Sequence, residues 1–219
     1  MIYLKKFDNY AAYEAAKSSL ILPNVSLTVD NNAVHYNPST PPTPSHEYVD
    51  LGLPSGAKWA TMNVGANSVT DYGNHYRYGR GAATYQETSG DSRYSGTENP
   101  LAASADTAVQ AWGGQWHMPT QAQFLELMSN TTYEWTTIDG VNGGKFTATN
   151  GNYVFFPAAG SFTNDYYHYE GRMGSYWTST PNGNGVYYFF CTADDWDVFT
   201  GEDSDYESIG SSVRPIMDA

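Results

Sequence analysis

The stretch "PSTPPTPS", residues 38–45, holds four prolines and no apolar side chain. Proline fixes φ and lacks a backbone N–H, so this density forbids both a helix and a paired strand. The stretch is therefore a stiff, extended spacer, and the chain folds as two pieces. The expected organisation is an N-terminal module over 1–38, a Pro-rich linker over 39–46 and a larger domain over 47–219.

Residues 8–19 read as a helix, with Asp8 as N-cap and Ala11, Ala12, Ala15 and Ala16 favouring helix. "NVSLTVD" and "AVHYN" are strand-like runs joined by Asn31-Asn32, a hairpin signal. The first piece is thus a helix–hairpin module of the kind that attaches to a larger assembly. In the second piece, "SADTAVQAW" places Ala105, Ala108, Val109 and Trp112 on one helical face and stops at Gly113-Gly114. "TQAQFLELM" opens with a capping box, Thr120 to Gln123, and turns Phe124, Leu127 and Met128 inward. "AKWATMNV", "KFTAT", "YVFFPAAG", "SYWTST", "VYYFFCT" and "SVRPIM" read as short strands. Two helices among short strands and polar loops predict an α+β domain built on antiparallel sheet. Trp59, Trp112, Trp116 and Trp177 are its expected core tryptophans.

The formal net charge of −13 repels phosphate backbones and anionic lipid, which argues against nucleic acid and membrane as partners. No segment approaches the ~20 apolar residues of a membrane span. The start, "MIYLKKFDNYAAYEAAKSS", lacks the continuous apolar run of a secretory leader. Cys191 is the one cysteine, so no intrachain disulfide forms, and its place in "VYYFFC" suits a buried thiol. Catalytic motifs are missing: there is no Gly-x-Ser-x-Gly elbow, no Walker loop and no His-Glu-x-x-His. The histidines are scattered without ligand spacing. The expectation is a protein with no catalytic residues, no cofactor and no metal.

"TADDWDVFTGEDSDYE", residues 192–207, concentrates seven carboxylates with interleaved rings and no Lys or Arg. Three uses compete. Asp203-Ser-Asp205-Tyr-Glu207 has the spacing of half a calcium loop, but Ser208 stands where such a loop needs Gly. A glycosidase pair needs only two carboxylates ~5–10 Å apart, a spacing that so acidic a chain meets by chance. The third use, an exposed binding face, accounts for more residues, because "NDYYHYE" at 164–170 repeats the mixture. The chain is also skewed toward Tyr, 19 against 9 Phe and 6 Trp, and Tyr suits contact surfaces. The candidate binding residues are Asn164, Asp165, Tyr166, Tyr167, His168 and Tyr169 in one patch. The second patch contributes Tyr188, Asp195, Trp196, Asp197, Phe199, Asp205 and Tyr206. Strand alternation predicts that one of Tyr187 and Tyr188 points inward and the other outward.

"YVDLGLPSGAKWATMNVGA" (48–66), "YGNHYRYGR", "DTAVQAWGGQWHMPT", "YVFFPAAG", "GSYWTST" and "SSVRPI" occur here in an order that resembles paralogous-domain proteins of gut Bacteroidetes. Those proteins are similar in fold to C-type lectins and to formylglycine-generating enzymes. The resemblance spans nearly all of 47–217. It departs at Tyr78-Gly79-Arg80, where the family often has Trp-Gly-Glu, and at His117, where it has Arg. Part of this superfamily is diversified by retroelements and includes phage receptor-binding proteins. Their variable residues surround a Tyr-Trp-x-Ser-like strand and favour Asn, Asp, Tyr, Ser and His. The patches around "GSYWTST" have that composition. Residues 1–38, with "LPNVSL" and "AVHYNP", resemble leaders of Bacteroides-phage structural proteins.

The resemblance implies a C-type-lectin-like scaffold that displays a variable aromatic and acidic surface for phage attachment, on a virion or a cell surface. The implied partner is a bacterial surface protein or glycan. The implied assembly is a homo-oligomer, a trimer in the phage reading. The formylglycine-generating activity is not carried over, because Cys191 stands alone, and neither is the lectin calcium site, whose Pro triplet is absent. The alternatives are a non-diversified bacterial adhesin and a calcium-dependent carbohydrate-binding protein.

Overall fold

Asp139-Gly140 sets the most regular part of the structure. Both residues have positive φ, 47° and 83°, as a two-residue type I′ turn requires. The computed structural model describes residues 26–30, 33–37, 46–85, 94, 96, 98–163, 166–183, 185–201 and 209–219. Its contacts divide the chain into two units, 1–45 and 46–219. In the first, β1 (Ser26–Asp30) pairs antiparallel with β2 (Ala33–Asn37), Asp30 opposite Ala33. This is the expected hairpin. The expected helix at 8–19 and the Pro-rich spacer at 38–45 lie outside the described residues.

The second unit is predominantly antiparallel β-sheet with two helices among its described residues. β3 (Tyr48–Asp50) and β4 (Lys58–Ala60) open it, followed by the short β5 (Tyr76–Arg77). Helix α1 (Thr107–Trp112) is capped by Asp106, whose carboxylate accepts from Val109 N at 3.0 Å and from Met118 N at 2.9 Å. Helix α2 (Gln121–Asn130) carries the predicted capping box: Thr120 Oγ1 accepts from Gln123 N, and Gln123 Oε1 accepts from Thr120 N.

The Asp-Gly hairpin follows, with β6 (Thr131–Ile138) paired to β7 (Val141–Ala148) and β8 (Tyr153–Pro157) added at β7. β9 (Ser161–Thr163) pairs with β10 (Tyr166–His168). β11 (Met173–Asn182), β12 (Gly185–Thr192) and β13 (Trp196–Gly201) make a three-stranded sheet in sequence order. β14 (Gly210–Ser211) joins β9 and β5, and β15 (Ile216–Met217) pairs with β4. The first and last strands of this unit thus flank the same neighbour, in the order β15-β4-β3.

Two apolar clusters sandwich the β11–β12 pair. On one side Tyr176, Phe189 and Cys191 pack with Trp59, Phe124, Leu127, Phe146 and Phe156. On the other, Trp177 and Val186 pack with Val64, Tyr76, Tyr78, Ala108 and Met118. This two-sided burial overturns the expectation for "VYYFF": Tyr187 and Tyr188 are both half-buried. Trp59, Trp116 and Trp177 are core residues as expected, but Trp112 is only half-buried, with His46 stacked on it at 3.7 Å. "SVRPIM", residues 212–217, is not one strand: Ser212, just past β14, makes an isolated bridge to Tyr176, and only Ile216–Met217 is a strand, paired with β4.

Candidate ligand-binding face

Register decides what the β11–β12–β13 sheet shows on each side. Trp177, Tyr188 and Phe199 lie opposite one another across the three strands, and so do Ser175, Phe190 and Asp197. Directly opposed residues of antiparallel strands share a face, so these form one surface. The other surface carries Tyr176, Phe189 and Val198, then Gly174, Cys191 and Trp196.

Trp196 is therefore on the opposite side of the sheet from Tyr188 and Phe199, and it stays exposed there. Its ring stacks on Tyr133 with centroids 4.0 Å apart, and the Tyr133 hydroxyl donates to the Thr192 carbonyl. Burial pushes the Tyr133 phenol well above its ordinary range. Grouping Trp196 with the other rings on one face is corrected: the pleat of β13 separates them. Tyr188 is corrected too, from a displayed ring to a half-buried one set edge-on to Trp177 at 6.4 Å. Phe199 is exposed and contacts Phe190, centroids 5.4 Å apart.

β10 divides its own rings in the same way. Tyr167 lies opposite Phe162, and their rings are 4.7 Å apart. The Tyr167 ring also meets His75 at 5.4 Å, yet it stays exposed. Burial pulls the His75 pKa down, against hydrogen bonding to the Ala159 and Gly160 backbone. Tyr166 and His168 are exposed, Tyr166 by 70% of its surface.

Tyr169 follows the strand with φ 60°, a region that L residues seldom occupy. Its carbonyl accepts from Arg172 N and Met173 N at 2.9 and 3.0 Å, which fixes the turn into β11. Gly160 makes room for this turn: a Cβ there would collide with the His168 carbonyl and the Glu170 nitrogen.

The carboxylates have local duties. Asp195 Oδ1 accepts from Trp196 N at 2.9 Å, and Asp197 Oδ1 accepts from Val198 N at 2.7 Å. Thr192 Oγ1 accepts from Asp194 N and Asp195 N, so this acidic tip is an ordered β12–β13 turn. Asn164, Asp165, Asp205 and Tyr206 lie outside the described residues, as does the half calcium loop at 203–207. Among the described residues no group of three or more His, Cys, Asp or Glu is placed to share a metal ion.

A cleft of about 210 Å³ opens where β9, β11, β12 and β14 meet. Tyr169, Trp177 and Tyr188 supply rings to it, Met173 and Ile209 supply aliphatic surface, and Ser161, Ser175 and Ser211 supply hydroxyls. Sequence reasoning found Tyr169 and Tyr188 and placed Trp177 in the core, but it missed the serines and Met173. One signal was available for Ser175: it precedes Trp177 by two residues in a strand, which puts both on one face.

Compared with family models, with curated proteins and with solved structures, the chain gives no match in any of the three. No helix among the described residues is long and apolar enough to cross a membrane.

Proposed function

We propose that the chain is a receptor-binding protein. On this reading its larger domain is a C-type-lectin-like scaffold of the retroelement-diversified kind, and it attaches a phage to a bacterial surface protein or glycan. The carrying observation is that Tyr166, Tyr167, Tyr169 and Phe199 stand exposed on or beside strands paired to buried neighbours: β10 to Phe162 of β9, and β13 to Phe189 of β12 through Val198, which packs on the core. Exposed rings on a rigid frame give contact area at low entropic cost, and grouped they mark an interaction surface. The meeting of the domain's first and last strands at β4 supports a scaffold closed independently of that face. One such site binds at about the micromolar level, so a homo-oligomer gains avidity.

The test replaces Tyr166, Tyr167 and Phe199 together with Ser in the full chain. Retention on a panel of Bacteroides strains is read by flow cytometry, and folding by thermal melting. The expected result is loss of retention, with a melting temperature no more than about 4 °C lower. Unchanged retention by the folded variant refutes the face.

A further inference from the structure

The cleft at the edge of this face has a composition that selects its occupant, an inference that rests on the recognition reading above. The Trp177 and Tyr188 rings stand 83° apart in plane and so form a corner. At its base, Ser175 Oγ and Ser211 Oγ are 2.9 Å apart, and both residues are almost wholly withdrawn from solvent, at 3% and 1% exposure. Two hydroxyls hold two protons and four lone pairs. Their mutual bond uses one of each, which leaves a donor and several acceptor positions for a third partner, with Ser161 adding another hydroxyl. No lining residue is charged. At the mouth, Tyr169 is held at φ 60°, and strain of this kind at a non-glycine residue concentrates where a ligand is clamped.

The geometry points to a subsite for one neutral, hydroxyl-bearing ring: the terminal pyranose of a glycan, held without a metal ion. The volume of about 210 Å³ lies below the ~300 Å³ at which drug-sized sites begin, so it admits a single ring. A purely apolar side chain would leave the serine hydroxyls unmet. A charged group would be buried unpaired, and an anion would also be repelled by Asp197, exposed on the sheet face that carries Ser175. A pyranose offers a C–H face to the rings and hydroxyls at its rim to the serines.

The experiment is saturation-transfer NMR on the full chain with methyl glycosides of neutral hexoses, 6-deoxyhexoses and N-acetylhexosamines, with and without EDTA. At least one glycoside should receive saturation on its ring C–H protons at about 10 mM, with a millimolar Kd that EDTA leaves unchanged. The Ser175→Ala/Ser211→Ala variant should bind about tenfold more weakly. Tyr169→Ala, at an exposed position, gives a second reading that does not depend on the buried pair and should weaken binding severalfold. Absence of transfer from every glycoside, loss of binding in EDTA, or full affinity in Tyr169→Ala overturns the subsite. The outcomes stay separable from the face test. Loss of cell retention in the Tyr166/Tyr167/Phe199 variant with no glycoside binding sinks the cleft alone. Retention undiminished in that variant sinks the recognition face.

Discussion

Replacing Arg214 with Met tests what closes the scaffold. The guanidinium is fully buried and makes four hydrogen bonds, all to uncharged oxygens. Nε donates to Asn63 Oδ1 at 2.9 Å; Nη1 donates to the Ala60 and Thr61 carbonyls at 3.0 and 2.9 Å; Nη2 donates to the Phe155 carbonyl at 2.9 Å. One face of the cation lies over Phe156, 5.1 Å from its centroid. Burial draws the pKa down to about 10, so the group remains charged at neutral pH. Met fills similar volume but donates nothing. Each orphaned buried oxygen costs about 1–3 kcal/mol, and removal of the buried cation returns several kcal/mol of desolvation. The net loss is about 3–5 kcal/mol, or roughly 10 °C in melting temperature for a domain of this size. Arg214→Lys should not rescue it, because an ammonium cannot reproduce the planar fork. Calorimetric melting of the full chain is the assay. A Met variant that melts within about 2 °C of the wild type would show that these bonds do not close the domain.

Cys191 has its thiol pushed up to about 12 by burial, so it should resist a disulfide reagent until the chain unfolds. Its folded pKa lies above the ordinary value of 9.0, so the folded state keeps the proton longer. Stability is full below about pH 9 and declines from there toward 12, and Cys191→Ala should flatten that decline in alkaline melts. His75 has the opposite sign. Its folded pKa is lowered from 6.5 by burial, so the unfolded chain binds the proton first and stability falls as pH drops below about 6.5. His75→Gln should remove part of that acid loss in melts run stepwise below neutrality. Trp196→Ala, which breaks the stack on Tyr133, should cost about 1–2 kcal/mol, whereas Tyr166→Ala should change stability by less than about 0.5 kcal/mol. Chemical denaturation of the two variants checks the difference.

What the sequence disclosed depended on how local its signal was. The capping box at Thr120, the Gly113 stop and the strand "VYYFFCT" are written in adjacent residues and recur in the structure. β6 was missed although Asp139-Gly140 between Ile138 and Val141 marks a two-residue hairpin. "TTYEWTTI" mixes polar and aromatic residues because one side of it is exposed, and the Asp-Gly step was the usable clue. "SVRPIM" misled for another reason: its composition does not say that Ser212 bridges to Tyr176 of β11 while Ile216 and Met217 pair with β4. Burial of Trp177 was legible, but its neighbourhood with Ser211 was not, since that depends on the bridge between Tyr176 and Ser212 and the backbone bonds beside it, which join residues distant in sequence.

The same limit explains how the candidate binding residues sorted. Composition picks out segments rich in rings and acids, but composition has no sides. A strand presents alternate residues to opposite faces, so Trp196 and Phe199, three positions apart in β13, part company. The Trp196 ring ties the β12–β13 turn to β6 through Tyr133, while Phe199 is exposed on the other side of the sheet. A chain whose outer face is to change without unfolding needs this arrangement. Rings that hold the frame and rings that meet a partner can then sit in one strand and still be substituted independently, because the pleat keeps their packing environments apart.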